Sequence, residues 1–175
     1  SVIIEDKIGL KKNSLFKNQS GVKQDSIKSF SKKISVVKKV KNSNDFLLAA
    51  RIESFIVGKG LNDAMKRAEA YSKAGADAIL IHSKENTPSE IFSFAKKFSK
   101  SKYFKPLVCV PSTYSKVSEK QLIKNNFKIV IYANHMIRSA YPSMVKTAKS
   151  ILKFKRSYEQ EKKMTSIKNV ISLVK

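Results

Sequence analysis

Short apolar runs alternate with longer amphipathic segments along the whole chain. Branched aliphatic residues dominate the apolar runs, which have the length of buried strands. The predicted strands are Val2 to Glu5, Phe46 to Glu53, Ala78 to His82, Leu107 to Pro111 and Ile129 to Ala133. Alternation of this kind predicts an α/β protein in which a parallel sheet is covered by helices.

The segments between the strands carry apolar residues every three or four positions, which is the period of an amphipathic helix. The predicted helices are Ser26 to Val40, Leu61 to Ala74 and Glu90 to Phe98, then a charged helical stretch from Lys153 to Lys163 and an apolar-faced helix from Met164 to Val174. The last of these helices can dock on a neighbour.

The segment from Asp6 to about Gln24 has little apolar periodicity and contains Gly9 and Gly21. We call it the lid loop. Two interpretations are open from composition alone: an unstructured polar linker, or a cover that closes over a site and excludes water.

Polar residues stand where each predicted strand ends: Glu5, Arg51 with Glu53, His82, Ser112 with Thr113, and Asn134 with His135. In a β/α barrel the carboxyl ends of the strands share one face. The pattern therefore predicts that these side chains meet around one pocket.

Arg51 lies within an apolar strand, where an unmatched charge is costly. Glu53, two residues on, points the same way along a strand, so we expect it to orient the guanidinium toward an anion. His82 is open to two interpretations, a hydrogen-bonded structural histidine or a substrate contact.

Composition narrows the possible partners. The net charge is +23, but only four of the 36 basic residues are arginine and the lysines are spread over nearly every segment. Because nucleic-acid recognition relies on arginine and on clustered charge, we expect no specific nucleic-acid partner, only weak salt-sensitive binding of polyanions.

Apolar runs in the chain are all shorter than the roughly 20 residues that cross a bilayer, so we expect no membrane partner. The single Cys109 cannot form an internal disulfide, which is compatible with a reducing cytoplasm.

Residues 4–14, IEDKIGLKKNS, fit a family signature of the form E-D-K-x-x-x-K-x-N-S. Further agreement lies in residues 50–58, 68–71, 75–84, 110–114 and 133–135. On these motifs the chain resembles the carboxy-terminal part of the phosphoenolpyruvate mutase family in the isocitrate lyase superfamily. Leu10 stands where the family usually has proline, which makes the lid loop less stiff.

This resemblance implies that residues 1–175 are one partial domain, the carboxy-terminal five βα units of a (β/α)8 barrel of the TIM type, with the first three strands missing. It also implies a terminal helix that can be exchanged between subunits, and hence a homodimer or homotetramer.

The resemblance assigns a chemistry as well. Glu5 would belong to a carboxylate cluster around Mg²⁺, and Lys11, Asn13 and Ser14 of the lid loop would be catalytic. Arg51 and His82 would bind the small-molecule substrate, phosphoenolpyruvate or phosphonopyruvate. The family's nucleophile, an aspartate, would lie upstream of this chain. The alternative interpretation of Glu5 is that it is an ordinary surface carboxylate that pairs with Lys7.

Three other functions stay open. A phosphonopyruvate hydrolase would share the same site and admit water. Carbon–carbon lyases of the superfamily carry a cysteine in this loop region, whereas residues 5–24 contain none. Finally, the chain as given lacks the nucleophile and most metal ligands, so an inactive fragment or a non-catalytic binding protein is also possible.

Overall fold

The computed structural model describes residues 1–9, 12–16 and 18–174. They fall into two compact units, Ser1–Tyr132 and Ala133–Lys175. That residues 1–175 form a single partial barrel domain stays a prediction.

A five-stranded parallel sheet forms the first unit, in the order β1-β4-β5-β6-β7. Its strands are β1 (Val2–Glu5), β4 (Leu48–Ile52), β5 (Ala78–Ile81), β6 (Leu107–Cys109) and β7 (Phe127–Val130). A two-stranded antiparallel pair, β2 (Lys7–Ile8) and β3 (Lys23–Gln24), closes the base of the lid loop. The parallel sheet was predicted, whereas this small pair was not.

The last strand is displaced from its predicted position. Residues Ile129 to Ala133 were expected to form it, but β7 begins at Phe127 and ends at Val130. Phe127 is buried in the core and follows Asn126, whose φ of 66° makes the tight turn into the strand. The core contact of Phe127 therefore sets this strand, not the apolar run after it.

Helices of the first unit are α1 (Ile27–Val40), α2 (Gly60–Ala74), α3 (Ser89–Phe98) and α4 (Glu119–Lys124). The Oγ of Ser26 caps α1 by accepting from the backbone N of Ser29 at 3.0 Å. Gly75, with a φ of 111°, ends α2. The first three helices confirm the sequence pattern, while the short α4 was not predicted.

Strand residues alternate between two faces of the sheet. Leu48, Ala50 and Ile52 of β4 join the core that packs under the helices, as do Ile79 and Ile81 of β5. The intervening residues face the other side of the sheet. This alternation directs polar side chains at the strand ends away from the helices.

Helices form the second unit: α5 (His135–Phe154), α6 (Tyr158–Glu161) and α7 (Ile167–Ser172). The predicted helical stretch from Lys153 to Lys163 is interrupted, because Lys155 adopts a left-handed conformation with φ 56° and ends α5, and α6 begins only at Tyr158. The long α5 was not predicted. Exchange of the terminal helix between subunits stays a prediction. No helix in the described part of the chain is long and apolar enough to cross a membrane.

Candidate active site at the carboxyl edge of the sheet

Glu5 and Arg51 are paired residues of the neighbouring strands β1 and β4. The Nε of Arg51 lies 3.5 Å from Glu5 Oε2 and donates to Glu53 Oε1 at 2.7 Å. The expected contact between Arg51 and Glu53 is therefore confirmed, while the orientation of Arg51 toward an anion stays a prediction. The Arg51 and Glu5 side chains are 22% and 21% exposed, so solvent or a ligand can reach both.

Ser14 connects the lid loop to this strand edge. Its hydroxyl donates to Glu53 Oε2 at 2.6 Å and accepts from Arg51 Nη2 at 2.9 Å and Lys7 Nζ at 2.8 Å. One donated and two accepted bonds use the whole capacity of a hydroxyl. The structure thus places Ser14 as the contact that ties the loop to Arg51. We refer to Lys7, Ser14, Arg51 and Glu53 as the strand-end cluster.

Glu53 is the centre of the strand-end cluster and is fully buried. Lys7 Nζ lies 3.0 Å from its Oε2, which gives the carboxylate a second cation besides Arg51. Burial alone would raise the pKa of Glu53, but the charge of Arg51 and the hydrogen bonds from Ser14, Arg51 and Lys7 lower it. Glu53 is therefore ionised at neutral pH.

His82 follows β5 directly and is 4% exposed. Its Nδ1 has no hydrogen-bond partner among the residues that the structure describes. Burial, together with the positive charges of Arg51 and Lys7, lowers the pKa of His82 to about 4. The imidazole is therefore neutral at neutral pH and can donate a hydrogen bond to a ligand or accept one from it.

The lid loop supplies the other predicted catalytic residues. Asn13 is exposed, and its Oδ1 accepts from the backbone N of Leu15 at 2.9 Å. Lys11 lies outside the described residues. A cleft of about 420 Å³ separates Leu15 from the turn that contains Lys84 and from Thr113. The loop thus lies beside an open space next to the ends of β5 and β6.

A second charged cluster lies on the opposite side of the β1 end. Asp6 is fully buried, and its Oδ2 accepts from Tyr71 at 2.8 Å, Gln24 at 2.9 Å and Arg67 at 3.1 Å. Its Oδ1 accepts from the backbone N of Glu53 at 3.0 Å. Burial raises the pKa of Asp6, and these hydrogen bonds oppose that rise.

Arg67 also pairs with Asp63, with an Nε to Oδ2 distance of 2.8 Å. We refer to Asp6, Asp63, Arg67 and Tyr71 as the anchor cluster. Asp6 thus reaches α2, whereas its neighbour Glu5 lies beside Arg51 of β4. The signal that was missed is the spacing of Asp63, Arg67 and Tyr71, which places a charged and hydroxyl stripe on one face of α2.

The fit of a divalent metal can be tested on these residues. Within residues 1–9, 12–16 and 18–174, no three His, Cys, Asp or Glu side chains are grouped so as to hold an ion. Both oxygens of Glu53 already accept hydrogen bonds from protein donors. The described residues therefore do not form a Mg²⁺ site by themselves, and Glu5 can supply one ligand of such a site.

Two of the predicted strand-end residues lie outside the compact unit that contains this edge of the sheet. Asn134 and His135 belong to the second unit, where Asn134 precedes α5. Thr113 remains in the first unit, and its hydroxyl donates to the backbone carbonyl of Ser83 at 3.4 Å. A common pocket for all the predicted strand ends stays a prediction.

Comparison of the sequence with known proteins identifies one family. The family model for phosphoenolpyruvate phosphomutase matches residues 1–152. A phosphoenolpyruvate phosphomutase of Tetrahymena pyriformis is 40% identical over 172 residues, which cover 98% of this chain and 56% of that protein. The chain thus spans little more than half the length of this curated relative.

Solved structures show the same relationship. A phosphoenolpyruvate phosphomutase from Streptomyces platensis subsp. rosaceus aligns with a TM-score of 0.89 and 34% identity, over 98% of this chain and 58% of that one. A phosphonopyruvate hydrolase in complex with oxalate and Mg²⁺ aligns with a TM-score of 0.84 and 34% identity, over 98% and 57%. The predicted fold, part of a (β/α)8 barrel, is confirmed by this likeness. With the match over residues 1–152, the chain belongs to the phosphoenolpyruvate phosphomutase family.

Proposed function

We propose that the intact protein interconverts phosphoenolpyruvate and phosphonopyruvate. In that reaction the phosphorus–oxygen bond of phosphoenolpyruvate breaks and a phosphorus–carbon bond forms on the same pyruvate skeleton, so no atoms are gained or lost. The observation that carries the proposal is the hydrogen bond from Arg51 Nη2 to Ser14, 2.9 Å long. It joins the signature loop to the one arginine of the chain that lies in a strand.

Arg51 is suited to bind the phosphonate or carboxylate of the substrate. Its guanidinium has more N–H groups than the bonds to Glu53 and Ser14 use, and its planar fork matches such oxygens. His82 is neutral and buried, and no described residue bonds to its Nδ1, so it can hold a substrate oxygen without adding charge.

The lid loop is proposed to exclude water while the phosphoryl group moves. Lys11 and Asn13 would contact the migrating group, since a phosphoryl group in transit would otherwise be captured by hydrolysis. Ser14 would hold the closed loop against Arg51 and Glu53. Mg²⁺, when bound with Glu5 among its ligands, would stabilise the enolate oxygens. The nucleophilic aspartate and the remaining metal ligands are proposed to lie upstream of Ser1.

The oligomeric state and the compartment also belong to this proposal. Exchange of terminal helices in a homodimer or homotetramer is proposed from the family resemblance. A reducing cytoplasm is proposed because the single Cys109 is free and buried.

Phosphorus NMR of the intact protein with phosphonopyruvate and MgCl₂ tests the reaction. Appearance of phosphoenolpyruvate supports the mutase. Appearance of inorganic phosphate with pyruvate would establish the hydrolase instead, and an unchanged spectrum would contradict any turnover.

Asn13→Ala tests the role of the lid loop, and Asn18→Ala is its matched control. Both side chains accept from a backbone N two residues on, at 2.9 Å in Asn13 and 2.8 Å in Asn18, but only Asn13 is in the signature. Loss of a donor at the reacting group should lower turnover by about two to three orders of magnitude in Asn13→Ala. Asn18→Ala should change it by less than about threefold, and Mg²⁺ affinity should stay unchanged in both. Equal loss in the two variants would show that only the fold of the loop matters.

A further inference from the structure

Arg67 of helix α2 contacts both ends of the lid loop. Its Nη1 lies 3.1 Å from Asp6 Oδ2 and donates to the backbone carbonyl of Asp25 at 2.8 Å. The two ends also bond to each other, because the backbone N of Asp25 donates to the carbonyl of Asp6 at 2.7 Å. A single buried guanidinium therefore fixes the points where the chain leaves the sheet and where it returns.

Tyr71, one helical turn further, completes this attachment. Its hydroxyl accepts from Arg67 Nη1 at 2.8 Å and donates to Asp6 Oδ2 at 2.8 Å. The ring is held against Phe30 of α1, with 4.7 Å between the centroids. Burial and the nearby Asp6 charge raise the pKa of Tyr71, so the phenol keeps its proton and remains a donor.

The hydrogen bonds around Asp6 extend to the strand-end cluster through Glu53. Asp6 Oδ1 accepts from the backbone N of Glu53, and the Glu53 carboxylate in turn accepts from Ser14 and Arg51. The position of the loop ends and the position of the carboxylate that receives Ser14 are thus set by one network. A buried network of hydrogen bonds between charged groups rigidifies the groups that it holds.

We propose that Arg67 and Tyr71 are positioning residues for the lid loop. They lie in the anchor cluster, on the helix side of β1, while Ser14 and Arg51 lie in the strand-end cluster. By fixing both loop ends relative to Glu53 they place Ser14 in register with Arg51. The kinetic part of this inference rests on the proposed function, whereas the structural part does not.

Hydrogen exchange of the intact protein without ligand tests the structural part. Tyr71→Phe removes the hydroxyl and keeps the ring. Tyr114→Phe is the matched control, because Tyr114 is as deeply buried but lies outside the anchor cluster. Loss of the two buried hydrogen bonds of this hydroxyl should speed exchange in peptides spanning residues 12–24 by about tenfold in Tyr71→Phe. The control should change it by less than about twofold.

Kinetics of the same variants test the coupling. With phosphonopyruvate and MgCl₂, Tyr71→Phe should lower kcat by about tenfold with KM within about twofold, because the loop closes out of register while substrate still reaches Arg51. Tyr114→Phe should leave both parameters unchanged. If the protein turns out to lack mutase activity, selective exchange in the lid loop still supports the positioning role.

Exchange that rises equally across the whole first unit, or does not change in the loop, would overturn the inference. Should Tyr71→Phe fail to fold, Gln24→Ala replaces it, since the part-buried Gln24 donates to the same Asp6 oxygen. Gln24→Ala should also speed hydrogen exchange selectively in the lid loop. If it does not, the inference is overturned in the same way.

Discussion

Glu5 and Asp6 are neighbours in sequence, yet they face two charged clusters on opposite sides of the sheet. In both clusters a hydroxyl accepts from an arginine and donates to a carboxylate: Ser14 between Arg51 and Glu53, and Tyr71 between Arg67 and Asp6. The same arrangement of arginine, hydroxyl and carboxylate therefore occurs twice.

What differs is the element that carries the hydroxyl. Tyr71 lies on a packed helix, and Arg67 is only 4% exposed, so the arginine of the anchor cluster is shielded from solvent. Ser14 lies on a loop, and Arg51 is 22% exposed, so the arginine of the strand-end cluster is open to solvent. Under the proposed function, an arginine–carboxylate pair would stabilise the fold in the first cluster and bind substrate in the second, depending on whether a helix or a loop carries the hydroxyl.

Among the proposed substitutions, Asp6→Asn should lower the free energy of unfolding the most, because it breaks the buried anchor cluster. The asparagine can accept on one side only, so its NH₂ group would face either the donors from Tyr71, Gln24 and Arg67 or the backbone N–H of Glu53. Breaking a buried pair in this way should lower the free energy of unfolding of the intact protein by about 3–5 kcal/mol. Urea denaturation measures this loss. The control is Asp45→Asn at an exposed position, which should change the free energy of unfolding by less than about 0.5 kcal/mol. If Asp6→Asn changes it no more than this control does, the anchor cluster does not stabilise the fold.

His82 adds a pH dependence to the strand-end side. Its pKa is lowered to about 4 in the folded protein, so between its ordinary value and pH 4 the unfolded state binds a proton that the native state does not. Stability should therefore fall as the pH falls through this window, by up to about 3 kcal/mol from this residue.

Urea denaturation over that pH range, on wild type and His82→Gln, measures the contribution. The slope of the unfolding free energy against pH should be smaller in the variant, while above about pH 7 the two curves should run parallel. Identical slopes across the range would show that His82 is not held neutral by burial.

Arg51→Lys should have the smallest effect of the three, and it should fall on binding. Lysine keeps the charge but loses the planar fork, which matters most for a tetrahedral phosphonate. Phosphonopyruvate affinity should fall by about tenfold to a hundredfold, whereas oxalate affinity should change by less than about threefold. Calorimetric titration with Mg²⁺ present compares the two ligands. If neither affinity changes, Arg51 is only a structural partner of Glu53.

The sequence allowed most of the sheet to be predicted, because β1, β4, β5 and β6 are apolar runs with clear boundaries. It misplaced β7, where a tight turn and one buried phenylalanine outweigh the apolar run. It also missed α5, which contains Pro142 and starts after a left-handed Asn134. Proline within a helix and an asparagine before it both weaken a periodicity signal.

The site was predictable where strand alternation decides the direction of a side chain. Arg51 and Glu53 point the same way, and the structure confirms their contact. Lys7 was considered only as a partner of Glu5, but it lies 3.0 Å from Glu53 Oε2, and Asp6 was not expected to pair with Arg67 on α2. Such pairings depend on which helix packs behind which strand, and a single sequence does not specify that packing.

The meeting of the two loop ends has a consequence for how this family can diversify. Since Asp25 and Asp6 are joined at 2.7 Å, the sheet and α1 do not sense how many residues lie between them. Insertions, deletions or wholesale exchange of the intervening segment cost little closure entropy when the ends are already together. The length and sequence of the segment on either side of Ser14 can therefore vary while the sheet and α1 stay in place, as long as Ser14 keeps its bonds to Arg51 and Glu53.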